Sequence, residues 1–205
     1  MSAGTIEAWV EFASTYSYPA AMRAERAAEA AGLRLVWRPF LLGPIFAAQG
    51  WSDSPFNIHP AKGRYMIRDL ERVCAQLGLP FKMPARFPAH SLLAARVATV
   101  GDGAPWQGAF IRAVFAKGFG EGRDIAERGV IAEALAWAGG PADAVDRATG
   151  AEPKAALRNR VEEAVAHGIF GAPSFRVGTE LFWGHDRLEA AIDWARQTRS
   201  DGVGR

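Results

Sequence analysis

Ser14 and Ser17 stand three residues apart in Glu11-Phe12-Ala13-Ser14-Thr15-Tyr16-Ser17-Tyr18-Pro19, between an alternating segment and an Ala-rich one. Thr5 to Phe12 sets Ile6, Ala8, Val10 and Phe12 on one face and Glu7, Trp9 and Glu11 on the other, a strand pattern. Tyr16 to Ala31 reads as a helix, closed by Gly32. A small polar residue at such a junction sits at the positive end of a helix dipole. Unpaired backbone N–H groups there favour an anion or a thiolate. Taken alone, Ser14 reads more simply as a helix N-cap, a role worth about 1 kcal/mol.

Other chemistry-bearing residues each have a plain reading beside a functional one. Cys74 is the single cysteine, so an internal disulfide or a CxxC pair is excluded. It falls in the helical pattern Met66, Leu70, Val73, Cys74, Leu77 and is expected to be a buried structural thiol. None of the four histidines has metal-ligand spacing with Cys or a second His, so no metal is expected. Gly118 to Gly122 resembles a phosphate loop, but no strand precedes it, and a helix-ending turn is expected. Asp186 and Glu189 have capping-box spacing at the last helix, and the adjacent His185 could serve as a general base or simply as a hydrogen-bonding or surface residue. Asn57 lies in a Pro-flanked loop, where Asn is common for turn reasons alone. Lys62 and Arg64 read as a solvated helix face. Tyr16, Phe46, Trp51 and Phe87 could line an aromatic pocket or be ordinary core. Pro173, after Gly171-Ala172, could be a simple turn proline.

The elements that must position these residues follow from periodicity. Leu33 to Pro39 is a second short strand, and its short link to the first helix implies a parallel βαβ unit. Phe40 to Trp51 reads as a loop with a short helical turn, and Ser52 to Pro60 as a polar, turn-rich stretch. The pattern is then helical for about half the chain. Helices are expected over Ala61–Leu77, Ser91–Val100, Pro105–Ala116, from the capping box at Asp124-Ile125-Ala126-Glu127 to Gly139, over Pro141–Thr149 and over Pro153–Ala166. Ser174–Val177 and Glu180–Trp183 form a hairpin through Gly178-Thr179, followed by a helix to about Arg199 and a frayed tail from Ser200 to Arg205. The order is βαβ, a helical block, then ββα: an α/β fold with a helical insertion.

The 205 residues can bury one sizeable core, and 49% hydrophobic with 22% charged residues is a globular composition. A net charge of +2 with scattered Lys and Arg gives no nucleic-acid footprint. No apolar run suits a membrane span and no signal-peptide pattern opens the chain, so a cytoplasmic protein is expected.

Four segments in this order resemble the 2-hydroxychromene-2-carboxylate isomerases, related to kappa-class glutathione transferases and DsbA-like thioredoxin-fold proteins. They are Ser14-Thr15-Tyr16-Ser17-Tyr18, Asn57 to Tyr65 with Arg68-Asp69-Leu70, Phe170-Gly171-Ala172-Pro173, and Trp183 to Leu188. The resemblance spans nearly the whole chain. It departs from the family at Thr15, where proline is usual, and in Leu41 to Gln49, which holds no Lys or Arg for a substrate carboxylate.

The resemblance implies a thioredoxin-like domain (1–52 and 168–205) with an all-helical insertion domain (53–167), and a homodimer. Glutathione is the implied cofactor. Ser14 would be catalytic, donating to its sulfur. Asn57, Ala172, a cis-Pro173, Trp183, Gly184, His185 and Asp186 would complete its site, with Tyr16, Phe46, Trp51 and Phe87 lining the substrate pocket. The implied activity interconverts 2-hydroxychromene-2-carboxylate-type hemiketals and trans-o-hydroxybenzylidenepyruvate-type aromatic 2-oxo acids, by reversible thiolate addition, in aromatic catabolism. The alternatives are a kappa-class-like glutathione transferase or peroxidase, and a non-catalytic thiol-binding module. A DsbA-type oxidase is not expected, since serines hold the two redox positions.

Overall fold

The computed structural model describes residues 4–51 and 53–201. Its element order is β1 (Thr5–Val10), α1 (Ser17–Ala30), β2 (Arg34–Pro39), α2 (Gly43–Ala48), α3 (Pro55–Ile58), α4 (Pro60–Gln76), α5 (Leu92–Val100), α6 (Gln107–Phe115), α7 (Arg128–Trp137), α8 (Ala144–Arg147), α9 (Ala151–Ala166), β3 (Ser174–Val177), β4 (Glu180–Trp183) and α10 (Leu188–Asp201). Ser52 and residues 202–205, which include the end of the expected tail, lie outside the described residues; Ser200 and Asp201 continue α10.

The strands form one sheet in the order β2-β1-β3-β4. β1 pairs parallel with β2 and antiparallel with β3, so Glu7 lies between Val36 and Arg176. This is the thioredoxin order, βαβ then ββα, with α2 to α9 between. β1 is paired on both edges, and both its faces are covered. Ile6, Ala8 and Val10 enter a core with Ala20, Ala21, Ala24 and Ala28 of α1, whose small side chains permit close packing on the sheet. On the opposite face Trp9 is fully buried among Phe40, Ile45, Ala164 and Ile169. Strand alternation separates these two faces but cannot say that both lie inside.

The helical block shares the first core: Val130, Ile131, Leu135 and Leu157 belong to the same cluster as Ile6. In α4 the buried residues are Met66, Leu70 and Cys74, four apart on one stripe. Burial raises the Cys74 thiol pKa to about 11, so it is a packed, un-ionised side chain.

Several local expectations are corrected. Pro105 precedes α6 rather than opening it, whereas Gly118-Phe119-Gly120 belongs to a π-helical turn (Ala116–Gly120) that ends α6, in line with the expected helix-ending turn, with Phe119 buried. Neither capping box forms. Asp124 accepts from the Ala126 N–H (2.9 Å) ahead of α7, whose N-cap Glu127 makes no side-chain bond. Asp186 lies in a 3-10 turn (His185–Arg187) with its carboxylate toward Arg187 (3.3 Å), while Glu189 pairs with Arg23. At the second site, Arg187 and Arg23 draw the Asp186 and Glu189 carboxylates away from the backbone donors.

Candidate functional site

The chain leaves β1 through a tight turn in which the Ser14 N–H donates to Glu11 O (2.9 Å) and the Ser17 N–H to Ser14 O (3.1 Å). Tyr16 holds the N-cap position of α1 and makes no side-chain cap bond. The capping role open to Ser14 is therefore not the one it takes. Its hydroxyl donates to the Ala172 carbonyl at 2.8 Å, across 158 residues of sequence. The Ala172–Pro173 peptide is cis, and the Gly184 N–H donates to Pro173 O at 3.0 Å. Two hydrogen bonds thus link the β1–α1 turn, the turn before β3 and the turn after β4. Ser17 is fully buried, and its hydroxyl and that of Thr15 have no hydrogen-bond partner.

Glu11 supports this turn from beneath. Its side chain is 4% exposed and accepts from the N–H groups of Ala13 (3.2 Å) and Leu42 (2.9 Å) and from the Ser91 hydroxyl. Burial pushes its carboxyl pKa up, against these donors. It ties the site to the start of α2 and to the residue before α5. Its place on the alternating strand gave no sign of this, because the tie depends on loops distant in sequence.

His185 and Tyr16 stack with parallel rings, 5.3 Å between centroids. The Tyr16 hydroxyl donates to Asp69 on α4 (2.9 Å), and burial followed by this carboxylate raises its pKa. Arg23 of α1 donates to the His185 carbonyl and pairs with Glu189. Burial, chiefly, lowers the His185 pKa, which favours the neutral ring. Asp186 is exposed. Trp183, 54% exposed, stands edge-on to Phe170 (4.9 Å).

The remaining candidate residues fall into two groups. Phe46 and Trp51 contact each other (5.3 Å), and Phe46 packs with Ala172 against the Trp9 cluster. Asn57 and Phe87 lie elsewhere, around a cavity of about 350 Å³ that Phe56, Arg64 and Met66 also line. The Asn57 amide donates to Asp53 (3.0 Å) and to Phe87 O (3.3 Å), beside a second cis peptide, Phe87–Pro88. Phe56, 6.4 Å from Tyr16 between ring centroids, links this cavity to the Ser14 turn. The four aromatic residues therefore do not line one common cavity, and Asn57 bonds to Asp53 and to the Phe87 carbonyl rather than to Ser14.

Glu11, Arg23, Phe56 and Asp69 are the residues of this region that sequence reasoning did not assign. Asp69 had a local signal, its helical spacing from Tyr65, whose hydroxyl it also accepts at 3.4 Å. Among the described residues no cluster of three or more His, Cys, Asp or Glu could hold a metal ion, and no helix is long and apolar enough to cross a membrane.

The curated 2-hydroxychromene-2-carboxylate isomerase of Sphingobium xenophagum is 28% identical over 187 residues, 90% of this chain and 94% of that protein. Among solved structures, a 2-hydroxychromene-2-carboxylate isomerase superposes with a TM-score of 0.84 at 24% identity, covering 96% of this chain and 98% of the other. The cytosolic disulfide reductase DsbM from Pseudomonas aeruginosa, solved with GSH, superposes at 0.62 with 17% identity, covering 97% and 98%. The profile of the DSBA-like thioredoxin domain matches residues 5–193, and with the cis-Pro173 turn set against the β1–α1 turn, this chain belongs to that family.

Proposed function

We propose that the chain is a glutathione-dependent isomerase interconverting 2-hydroxychromene-2-carboxylate-type hemiketals and trans-o-hydroxybenzylidenepyruvate-type 2-oxo acids. The observation that carries this reading is the Ser14 hydroxyl bonded to the carbonyl before cis-Pro173. A hydroxyl rather than a thiol at this position binds a foreign thiolate without forming a mixed disulfide with it.

The residues present fit a tripeptide thiol. The half-buried Ala172 can pair its backbone with a cysteinyl unit as one strand pairs with another. A donor to Ala172 O would leave the Ser14 hydroxyl free to turn to the sulfur. That hydroxyl and the N-terminal end of α1 both stabilise negative charge, drawing a thiol pKa from about 8.5 toward neutrality. Trp183, Gly184, His185 and Asp186 would hold the γ-glutamyl end, with the Asp186 carboxylate toward its ammonium. Asn57 would contribute from the opposite side. Bound glutathione supplies the nucleophile, which adds reversibly to a conjugated double bond and so permits rotation about it.

Tyr16, Phe46, Trp51 and Phe87 would hold the aromatic substrate, as two walls rather than one ring. In this reading 1–52 and 168–205 form the thiol-binding domain, 53–167 covers the substrate, and the enzyme works as a cytoplasmic homodimer. The uncharged Leu41 to Gln49 segment favours one second reading, a kappa-class-like transferase whose electrophile needs no carboxylate partner.

Turnover with glutathione in catalytic amount separates the two. The isomerase regenerates glutathione, whereas accumulation of a conjugate assigns the transferase. Ser14→Ala should lower turnover by about 10- to 100-fold, the worth of a hydrogen bond to a charged group, while leaving glutathione affinity within about threefold. Unchanged turnover would remove Ser14 from the chemistry.

A further inference from the structure

A second cavity, of about 410 Å³, lies between α2, α5 and α9 and contains none of the residues assigned to the thiol site. Its apolar wall is Leu41, Leu92, Leu157 and Val161. Leu157 is buried, but Leu92 is 40% exposed, an apolar side chain left open beside a buried one. Facing this wall are three cations, Arg96 from α5 and Lys154 and Arg158 from α9, against a single acid, Glu162. None of the three cations has an ion-pair partner among the described residues, although eleven other Lys and Arg side chains among those residues do. The Arg96 Nε is buried with no acceptor.

A buried guanidinium N–H such as Arg96 Nε is costly unless something accepts from it. Lys154 and Arg158 are four apart on one helix, a like-charge spacing that destabilises it, and Arg96 adds a third positive charge from across the groove. The volume falls in the range of small-molecule sites, and an apolar wall with a few convergent polar groups is their usual lining. A guanidinium presents a planar fork that matches a carboxylate.

We propose that this groove binds an apolar monocarboxylate, its hydrocarbon body on Leu41, Leu92 and Leu157 and its carboxylate among Arg96, Lys154 and Arg158. The site backs onto the Ser14 turn without being part of it. Leu41 and Leu92 are chain neighbours of Leu42 and Ser91, which both donate to Glu11. The proposal does not depend on glutathione chemistry and stands or falls separately from it.

Calorimetric titration of the full chain with 2-naphthoate, decanoate and the uncharged 2-naphthamide tests it. At least one carboxylate should bind below millimolar, and the stronger of the two distinguishes an aromatic from an aliphatic ligand. The amide should bind about tenfold or more weakly than the naphthoate if that is the ligand, the worth of one charge-assisted hydrogen bond. A double Lys154→Gln, Arg158→Gln variant, altered only at exposed positions, should lose about tenfold in carboxylate affinity and keep its melting temperature. Carboxylate affinity in this groove should be the same in Ser14→Ala, whatever that variant does to turnover. No carboxylate binding, equal affinity for naphthoate and its amide where naphthoate is the stronger carboxylate, an undiminished affinity in the double variant, or competition by glutathione would each overturn the proposal. So would conversion of a dimer to a monomer by Leu92→Asp, which would assign the groove to a second copy of the chain.

Discussion

At the scale of single residues, partners decide roles that residue type leaves open. Ser14 has the composition of a cap and the bond of a bridge, because the helix begins three residues later and the Ala172 carbonyl lies within reach. The sequence places Ser14 at the right junction, yet the choice between cap and bridge needs a segment 158 residues away. Asp186 shows the same limit, since its spacing to Glu189 suits a box but Arg187 and Arg23 take the two carboxylates. Gly184 is a sharper case. At φ 122° and ψ 152° it holds a conformation essentially reserved for glycine, and an added Cβ would come within 2.5 Å of Asp186 Oδ1. Gly184→Ala is expected to cost about 1–3 kcal/mol in urea unfolding. Gly43→Ala, where an added Cβ meets nothing within 4 Å, should stay within about 0.5 kcal/mol of the parent. Equal effects from the two would mean that the Gly184 backbone is not what shapes the turn.

At the scale of elements, the hairpin Ser174–Val177 with Glu180–Trp183 and the helix stop at Gly32 follow directly from turn chemistry and periodicity. What periodicity does not carry is the use made of the sheet's second face. There Glu7 accepts from Arg38 on β2 (3.1 Å) and from Arg176 on β3 (3.0 Å), one carboxylate joining three strands. Burial pushes the Glu7 pKa up, but hydrogen bonds from Arg176 and Arg38 and their charges outweigh it and hold the pKa below the ordinary 4.5. A carboxyl with a lowered native pKa stabilises the fold above its unfolded value, and that contribution disappears as pH falls through the native one. Glu7→Gln should therefore destabilise the protein by about 1–2 kcal/mol at neutral pH. The gap between parent and variant should close as urea midpoints are followed from about pH 7 toward pH 3. A gap that stays constant over that range would show that shape, not charge, makes the difference.

At the scale of the whole molecule, the thioredoxin order was legible because its two halves sit at the ends of the chain, βαβ first and ββα last, with the switch to helical period marking the insertion. The fusion of the two parts was not legible. One hydrophobic cluster runs from Ile6 through Val130 to Leu157, and Glu11 ties the Ser14 turn to Leu42 and Ser91 through single hydrogen bonds that leave no periodic trace. The resulting framework holds three distant turns together, and a thiolate cradle requires that arrangement of all of them at once. The ultraviolet absorbance of thiolate, followed against pH for glutathione bound to the parent protein and to Ser14→Ala, tests the cradle most directly. The parent should lower the glutathione thiol pKa from about 8.5 toward neutrality, and Ser14→Ala should return it by about one unit or more, near 1.4 kcal/mol of thiolate stabilisation. A thiol that titrates identically in the parent, in Ser14→Ala and in free solution would contradict the assignment of Ser14 and its turn as a thiolate site.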